Sequence, residues 1–102
     1  SSDLLDPPAF AKHKKVLNNA LQGYRKLNAK AFEKIRPGGI LFTFSCSQVV
    51  SKENFRLAVF SAAAQSGRNV RILHQLTQPA DHPVNIYHPE GEYLKGLVLY
   101  VE

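Results

Sequence analysis

The tripeptide Pro37-Gly38-Gly39 constrains this chain more than any other stretch. Ahead of it, Leu17, Leu21, Tyr24, Leu27, Ala31 and Ile35 recur at helical spacing, which predicts a long amphipathic helix over about 16–36. A proline followed by two glycines ends such a helix. Beyond it, Ile40 to Phe44 is a short run of apolar and β-branched residues that reads as a buried strand. The chain must therefore turn from a helix into a strand within three residues.

The alternation continues in both directions. Ser51 suits an N-cap, with Glu53 in the first turn of the helix it opens. Phe55, Val59, Ala62 and Ala63 form the apolar stripe of that second helix, which ends at Gly67. Val70 to Leu76 reads as a strand, and Leu97 to Val101, apolar on both faces, as a buried one. Residues 3–6 read as the end of a strand stopped by Pro7-Pro8, and Ala11 to Lys15 as a polar, basic lead-in to the long helix. The order β-α-β-α-β-loop-β places the chain in the α/β class, with a mostly parallel sheet and right-handed crossovers. The final link, about 75–95, has no periodicity. Its two pairs, His82-Pro83 and His88-Pro89, hold each histidine in extended or turn geometry.

At 102 residues the chain is one domain or part of one. It can bury a modest core, roughly two thirds of its unfolded surface. No apolar run approaches the ~20 residues of a membrane span, and residues 1–15 lack the charged-then-apolar order of a signal peptide. One cysteine excludes an intramolecular disulfide framework and fits the reducing cytoplasm. A net charge of +5 favours anionic partners, nucleic acid first.

Two stretches carry chemistry: "LDPPAF" at residues 5–10 and "TFSCS" at 43–47. Asp6 falls at the carboxyl end of the first strand and Cys46 at or just past the carboxyl end of the second. Parallel neighbours present those ends on one edge of an open α/β sheet, where ligands bind. One intervening helix is the right length for a single crossover. A thiolate is a strong nucleophile, and a nearby carboxyl can hold a ring nitrogen. Pro7 and Pro8 fix the backbone, Phe10 offers a flat face to a base, and Lys12, Lys14 and Lys15 suit phosphates.

Each of these residues also has a plainer reading. Cys46 serves equally as a small core residue, and Asp6 as a turn former. Lys26, Lys30 and Lys34 form a solvated stripe. Tyr24 and Phe32 belong to a core, and Asn28, on the apolar stripe, to a buried hydrogen-bonded amide. Glu90, Glu92 and Lys95 offer a catalytic set or, more plainly, loop-anchoring charges. His74, His82 and His88 with Cys46 match no usual zinc spacing.

Taken in order, "LDPPAFAK", "RPGGILFTFSCS", "DHP" and "HPEGEYLKG" resemble the bacterial cytosine-5 methyltransferases of large-subunit ribosomal RNA, from Leu4 to Val101. The resemblance implies a Rossmann-like class I methyltransferase fold, S-adenosylmethionine as cofactor and ribosomal RNA as partner. The strands would be the fourth to seventh of that sheet, the seventh antiparallel between the fifth and sixth. It implies Cys46 as the thiolate that attacks C6 of cytosine, and Asp6 as the carboxylate beside base and methyl donor. Pro7 and Pro8 would line the cofactor and base pocket, and Phe10, Lys12 and Ser47 would meet RNA. Tyr24 and Asn28 match recurrent helix positions with structural roles.

Two departures stand out. Ala9 occupies the place where related enzymes carry a second cysteine, which leaves the proton-removing base unassigned. The glycine-rich turn and ribose-binding acid of the cofactor half are missing. The expectation is a carboxyl-terminal portion of a catalytic domain that, alone, neither binds S-adenosylmethionine well nor turns over. A bare strand edge and an uncovered sheet face make a homodimer the expected state of the isolated chain. Two competing functions are methylation of another RNA position with Cys46 idle, and a non-catalytic basic RNA-binding or dimerisation module.

Overall fold

The computed structural model describes residues 7–78, 83–87 and 93–102, with the backbone alone for 7–10. Two helices and three strands follow in the order α1 (Pro7–Lys34), β1 (Gly39–Ser45), α2 (Lys52–Ser66), β2 (Val70–Leu76) and β3 (Lys95–Val101). The strand expected over 3–6, and Asp6 with it, lies outside the described residues.

Helix α1 begins at Pro7, well before the expected start near residue 16. Pro7 and Pro8 act as helix openers. The first turn of a helix has no carbonyl partners for its N–H groups, so proline loses nothing there. Residues 11–16 are exposed, so apolar periodicity could not reveal this part of the helix. Further along, Leu17, Ala20, Leu21, Tyr24, Phe32 and Ile35 face the core. Leu27, expected on that stripe, points outward at 65% exposed, and Asn28 takes the inward place instead. Asn28 is buried and its amide donates to the Tyr24 carbonyl at 2.8 Å, as its position on the stripe suggested.

The helix-to-strand switch is built as its sequence requires. Gly38 has φ +85, which L side chains rarely adopt, and its N–H donates to the Val101 carbonyl at 2.7 Å. A Cβ on Gly39 would lie 2.7 Å from Ile35 Cγ1 and 2.9 Å from the Arg36 carbonyl oxygen. The end of α1 is closed from a distance. Arg68 donates from Nη1 to the carbonyls of Phe32 (2.7 Å) and Ile35, and from Nε to the Glu102 carbonyl at 3.0 Å. A guanidinium thus supplies donors to carbonyls that have no partner within the helix. Helix α2 has the expected caps: Ser51 accepts from the Asn54 N–H at 3.0 Å, and Gly67 is left-handed at φ 71.

The sheet order is β1-β3-β2, with β3 antiparallel to both neighbours. The mostly parallel sheet expected from element alternation is therefore corrected. β1 and β2 run the same way but do not pair, because the returning strand lies between them. The link from β2 to β3 has no crossover helix among its described residues, and an antiparallel pair needs none. The arrangement has the fifth-seventh-sixth order that the family resemblance implied.

Both helices pack on one face of this sheet. Leu97, Leu99 and Val101 of β3 join Phe32, Val50, Phe55, Val59 and Ala62 in the core. Tyr24 and Phe55 meet edge to face, centroids 5.4 Å apart. β3 is buried along nearly its whole length, as a central strand should be. β1 is buried on one side only. Ile40, Phe42 and Phe44 stand 46%, 60% and 44% exposed on the opposite face, which overturns the expectation of a fully buried strand.

Gly38→Ala should lower stability by about 1–2 kcal/mol through its left-handed backbone. Gly39→Ala should cost more, because the obstructing Arg36 carbonyl is backbone and cannot swing away. Urea unfolding of the two variants measures the difference, and equal, near-zero losses would contradict the account.

Candidate active site at the β1–α2 turn

The register of β1 decides which side chains reach the turn that follows it. Alternation puts Leu41, Thr43 and Ser45 on the core face. Cys46 is the first residue past the strand, and its thiol is free and exposed. Its neighbours are fixed from three directions.

From α1, the Tyr24 hydroxyl accepts a hydrogen bond from Ser45 Oγ at 2.8 Å, and Ser45 Oγ in turn accepts from the Ser47 N–H at 3.3 Å. From β3, Lys95 Nζ donates to the carbonyls of Ser47 (2.7 Å) and Val50 (2.5 Å). From α2, the Ser51 cap starts the helix directly after the turn. Val50 is 1% exposed and anchors the turn in the core.

Lys95 is only 6% exposed. Burial pulls its ammonium below the ordinary value, and the negative charge of a nearby Cys46 thiolate acts the other way. Charge-assisted bonds to two carbonyls offset part of the cost of burying it.

The first half of α1 flanks the same turn. Lys12, His13 and Val16 line an open groove of about 510 Å³ together with Gln48 and Val49. So Lys12, Cys46 and Ser47, picked from sequence, fall at one end of the sheet. Asp6 lies outside the described residues, as do the side chains of Pro7, Pro8 and Phe10. His74 is exposed on β2, and His82 and His88 are outside the described residues. Lys26, Lys30 and Lys34 are exposed, with Lys26 and Lys30 beside Leu27 in a separate groove along α1.

The sequence pattern did not single out Ser45, and it pointed Lys95 to a catalytic set with Glu90 and Glu92 or to loop anchoring, with no partner named. Lys95 does anchor a turn, but one 45 and 48 residues away. The available signals were a lysine opening an otherwise apolar strand, and Ser45 falling on the inward register of β1. Tyr24 is a core residue, as expected, and its hydroxyl also reaches the site.

No family model matches the chain. It is 49% identical over 96 residues to the ribosomal RNA large subunit methyltransferase I of Tolumonas auensis, covering 94% of this chain and 24% of that protein. The like-named protein of Pseudoalteromonas atlantica is 46% identical over 101 residues, 99% of this chain and 26% of that one. The one from Aeromonas salmonicida is 46% identical over 96 residues, 94% and 24%. The chain thus spans about a quarter of the length of the curated relatives it matches. Among solved structures, one described as a SAM-dependent methyltransferase from Streptococcus mutans superposes with TM-score 0.70 at 18% identity, over 79% of this chain and 21% of that one. A methyltransferase structure in complex with SAH gives TM-score 0.71 at the same identity and coverage. The two structural likenesses show the fold, a Rossmann-like α/β arrangement.

Stability should rise with pH between the depressed folded value of Lys95 and its ordinary value of 10.5. In that window the unfolded chain holds the proton more readily than the folded one. Lys95→Met should flatten this rise in alkaline urea titrations. A wild-type curve that falls steadily through the same window would contradict it.

Proposed function

We propose that this chain is the carboxyl-terminal portion of an S-adenosylmethionine-dependent methyltransferase that modifies C5 of a cytosine in large-subunit ribosomal RNA, with Cys46 as nucleophile. The observation that carries the reading is 46–49% identity, through nearly the whole chain, to proteins named as methyltransferases of that RNA. The exposed thiol on a firmly held strand-end turn supports it. So do the +5 charge and the basic start of α1, which suit a phosphate backbone.

In this reading the Cys46 thiolate forms a bond to C6 of the ring. The electrons of the C5–C6 double bond move away from C6 and make C5 nucleophilic. S-adenosylmethionine supplies the methyl group that C5 takes up. Loss of the C5 proton restores the double bond and expels the thiolate, so Cys46 ends as it began. Asp6, with Pro7 and Pro8, is assigned to the base and cofactor, and Phe10, Lys12 and Ser47 to RNA. The reading assigns most of the S-adenosylmethionine site to the longer protein and the substrate side to this segment. Among the described residues no helix is long and apolar enough to cross a membrane.

The competing enzyme reading, methylation elsewhere on the RNA with Cys46 idle, separates by one variant. In the longer protein that carries this segment, Cys46→Ser should abolish methyl transfer to C5, read by mass spectrometry of the RNA nucleosides. Transfer persisting at the wild-type rate would remove Cys46 from the mechanism.

The exposed Ile40, Phe42 and Phe44 fit a sheet face that the rest of a larger domain covers. Expressed alone, the 102 residues should self-associate through it, as a two-fold dimer, and bind S-adenosylmethionine poorly. Sedimentation velocity giving a monomer at every concentration, or calorimetry giving micromolar affinity, would contradict this.

A further inference from the structure

We propose that Lys95 is the positioning residue of Cys46: from the central strand it holds the carbonyls of Ser47 and Val50 and so fixes where the thiol stands. The inference rests on the reading of Cys46 as nucleophile.

Lys95 is the one ionisable side chain among the buried described residues, where its companions are Asn28, Thr43 and Ser45. The single ion pair among the described residues, Arg71 with Glu102, lies elsewhere. A lysine is rarely buried without a carboxylate partner. For packing alone an aliphatic residue would serve better at this point of β3, beside Leu97 and Leu99. What the ammonium gains instead is the turn, through two short bonds to backbone oxygens.

Beyond the buried Val50 side chain, the other ties on the turn's own backbone are weak. The bond from Ser47 N–H to Ser45 Oγ is 3.3 Å long, and that from Val50 N–H to the Ser47 carbonyl 3.4 Å, both at the weak end of the range. Without Lys95, Ser47 to Val50 would keep the buried Val50 side chain and these two long bonds, but lose the strong ties to its carbonyls. Cys46, at the head of that segment, would lose its fixed direction. Lys52 and Arg56 of α2 line a small cavity with Lys95, and among the described residues no acid lines it.

The test uses the longer protein and an RNA carrying 5-fluorocytosine at the target. There C5 bears fluorine in place of a removable proton, so the adduct persists once Cys46 has added and the methyl group has transferred. Lys95→Met keeps the length of the side chain but removes its charge and donors. It should slow adduct formation about a hundredfold, the usual scale for a misplaced reacting group, while the final amount of adduct stays at the wild-type level. Lys95→Arg should recover part of the rate. In the same protein, amide exchange at Ser47 to Val50 should quicken at least about tenfold in Lys95→Met, with the β3 amides unchanged.

An unchanged rate with unchanged exchange would overturn the inference. So would rate and final amount falling together, which would make Lys95 a support of the fold alone. Failure of the underlying reading looks different: wild-type protein forms no adduct. Exchange at Ser47 to Val50 still decides whether Lys95 holds the turn, and no change there overturns the inference in that case as well.

Discussion

The bonds from Lys95 Nζ to the carbonyls of Ser47 and Val50 tie together the parts of this molecule that matter most. They join the central strand of the sheet to the turn between its edge strand and the second helix. They also account for a charge buried beside Leu97 and Leu99. Remove the cation and two carbonyls and a core position are left unsatisfied together, which is costly in a low-dielectric interior. The Tyr24–Ser45 hydrogen bond adds a second tie from the first helix. A reactive side chain on this turn would therefore inherit its position from three separate elements.

The two faces of the sheet differ. One is covered by both helices and contains the core. The other leaves three large side chains of β1 open to water. A three-stranded sheet with helices on one face leaves its other face uncovered. The chain spans about a quarter of the length of the curated relatives it matches, and the proposed function assigns the methyl donor's site to the rest of a longer protein.

Local chemistry was legible in the sequence. Pro37-Gly38-Gly39, the Ser51 cap, the Gly67 stop and the span of β2 all depend on residues close to one another along the chain. Asn28 was readable because a polar residue on an apolar stripe needs a partner. The start of α1 was not, since proline opens a helix as readily as it closes a strand, and its first turns face water. Leu27 shows the limit of periodicity: helical spacing placed it inward, but the packing of α1 turned it out. The contacts that shape the site were the least legible. Arg68 reaches α1 across 33 to 36 residues, and Lys95 reaches the turn across 45 to 48. Such pairs follow from tertiary geometry, in which β3 inserts between β1 and β2, and no local pattern announces them. The inward alternation of Ser45 was present in the sequence, but its meaning depended on Tyr24 standing opposite.

The central claim is that the turn after β1 presents the reacting thiol to the RNA base. The most direct measurement is peptide mapping of the covalent complex between the longer protein and 5-fluorocytosine RNA. The account predicts a single modified peptide, with the nucleotide on Cys46. A nucleotide attached to any other residue would contradict it.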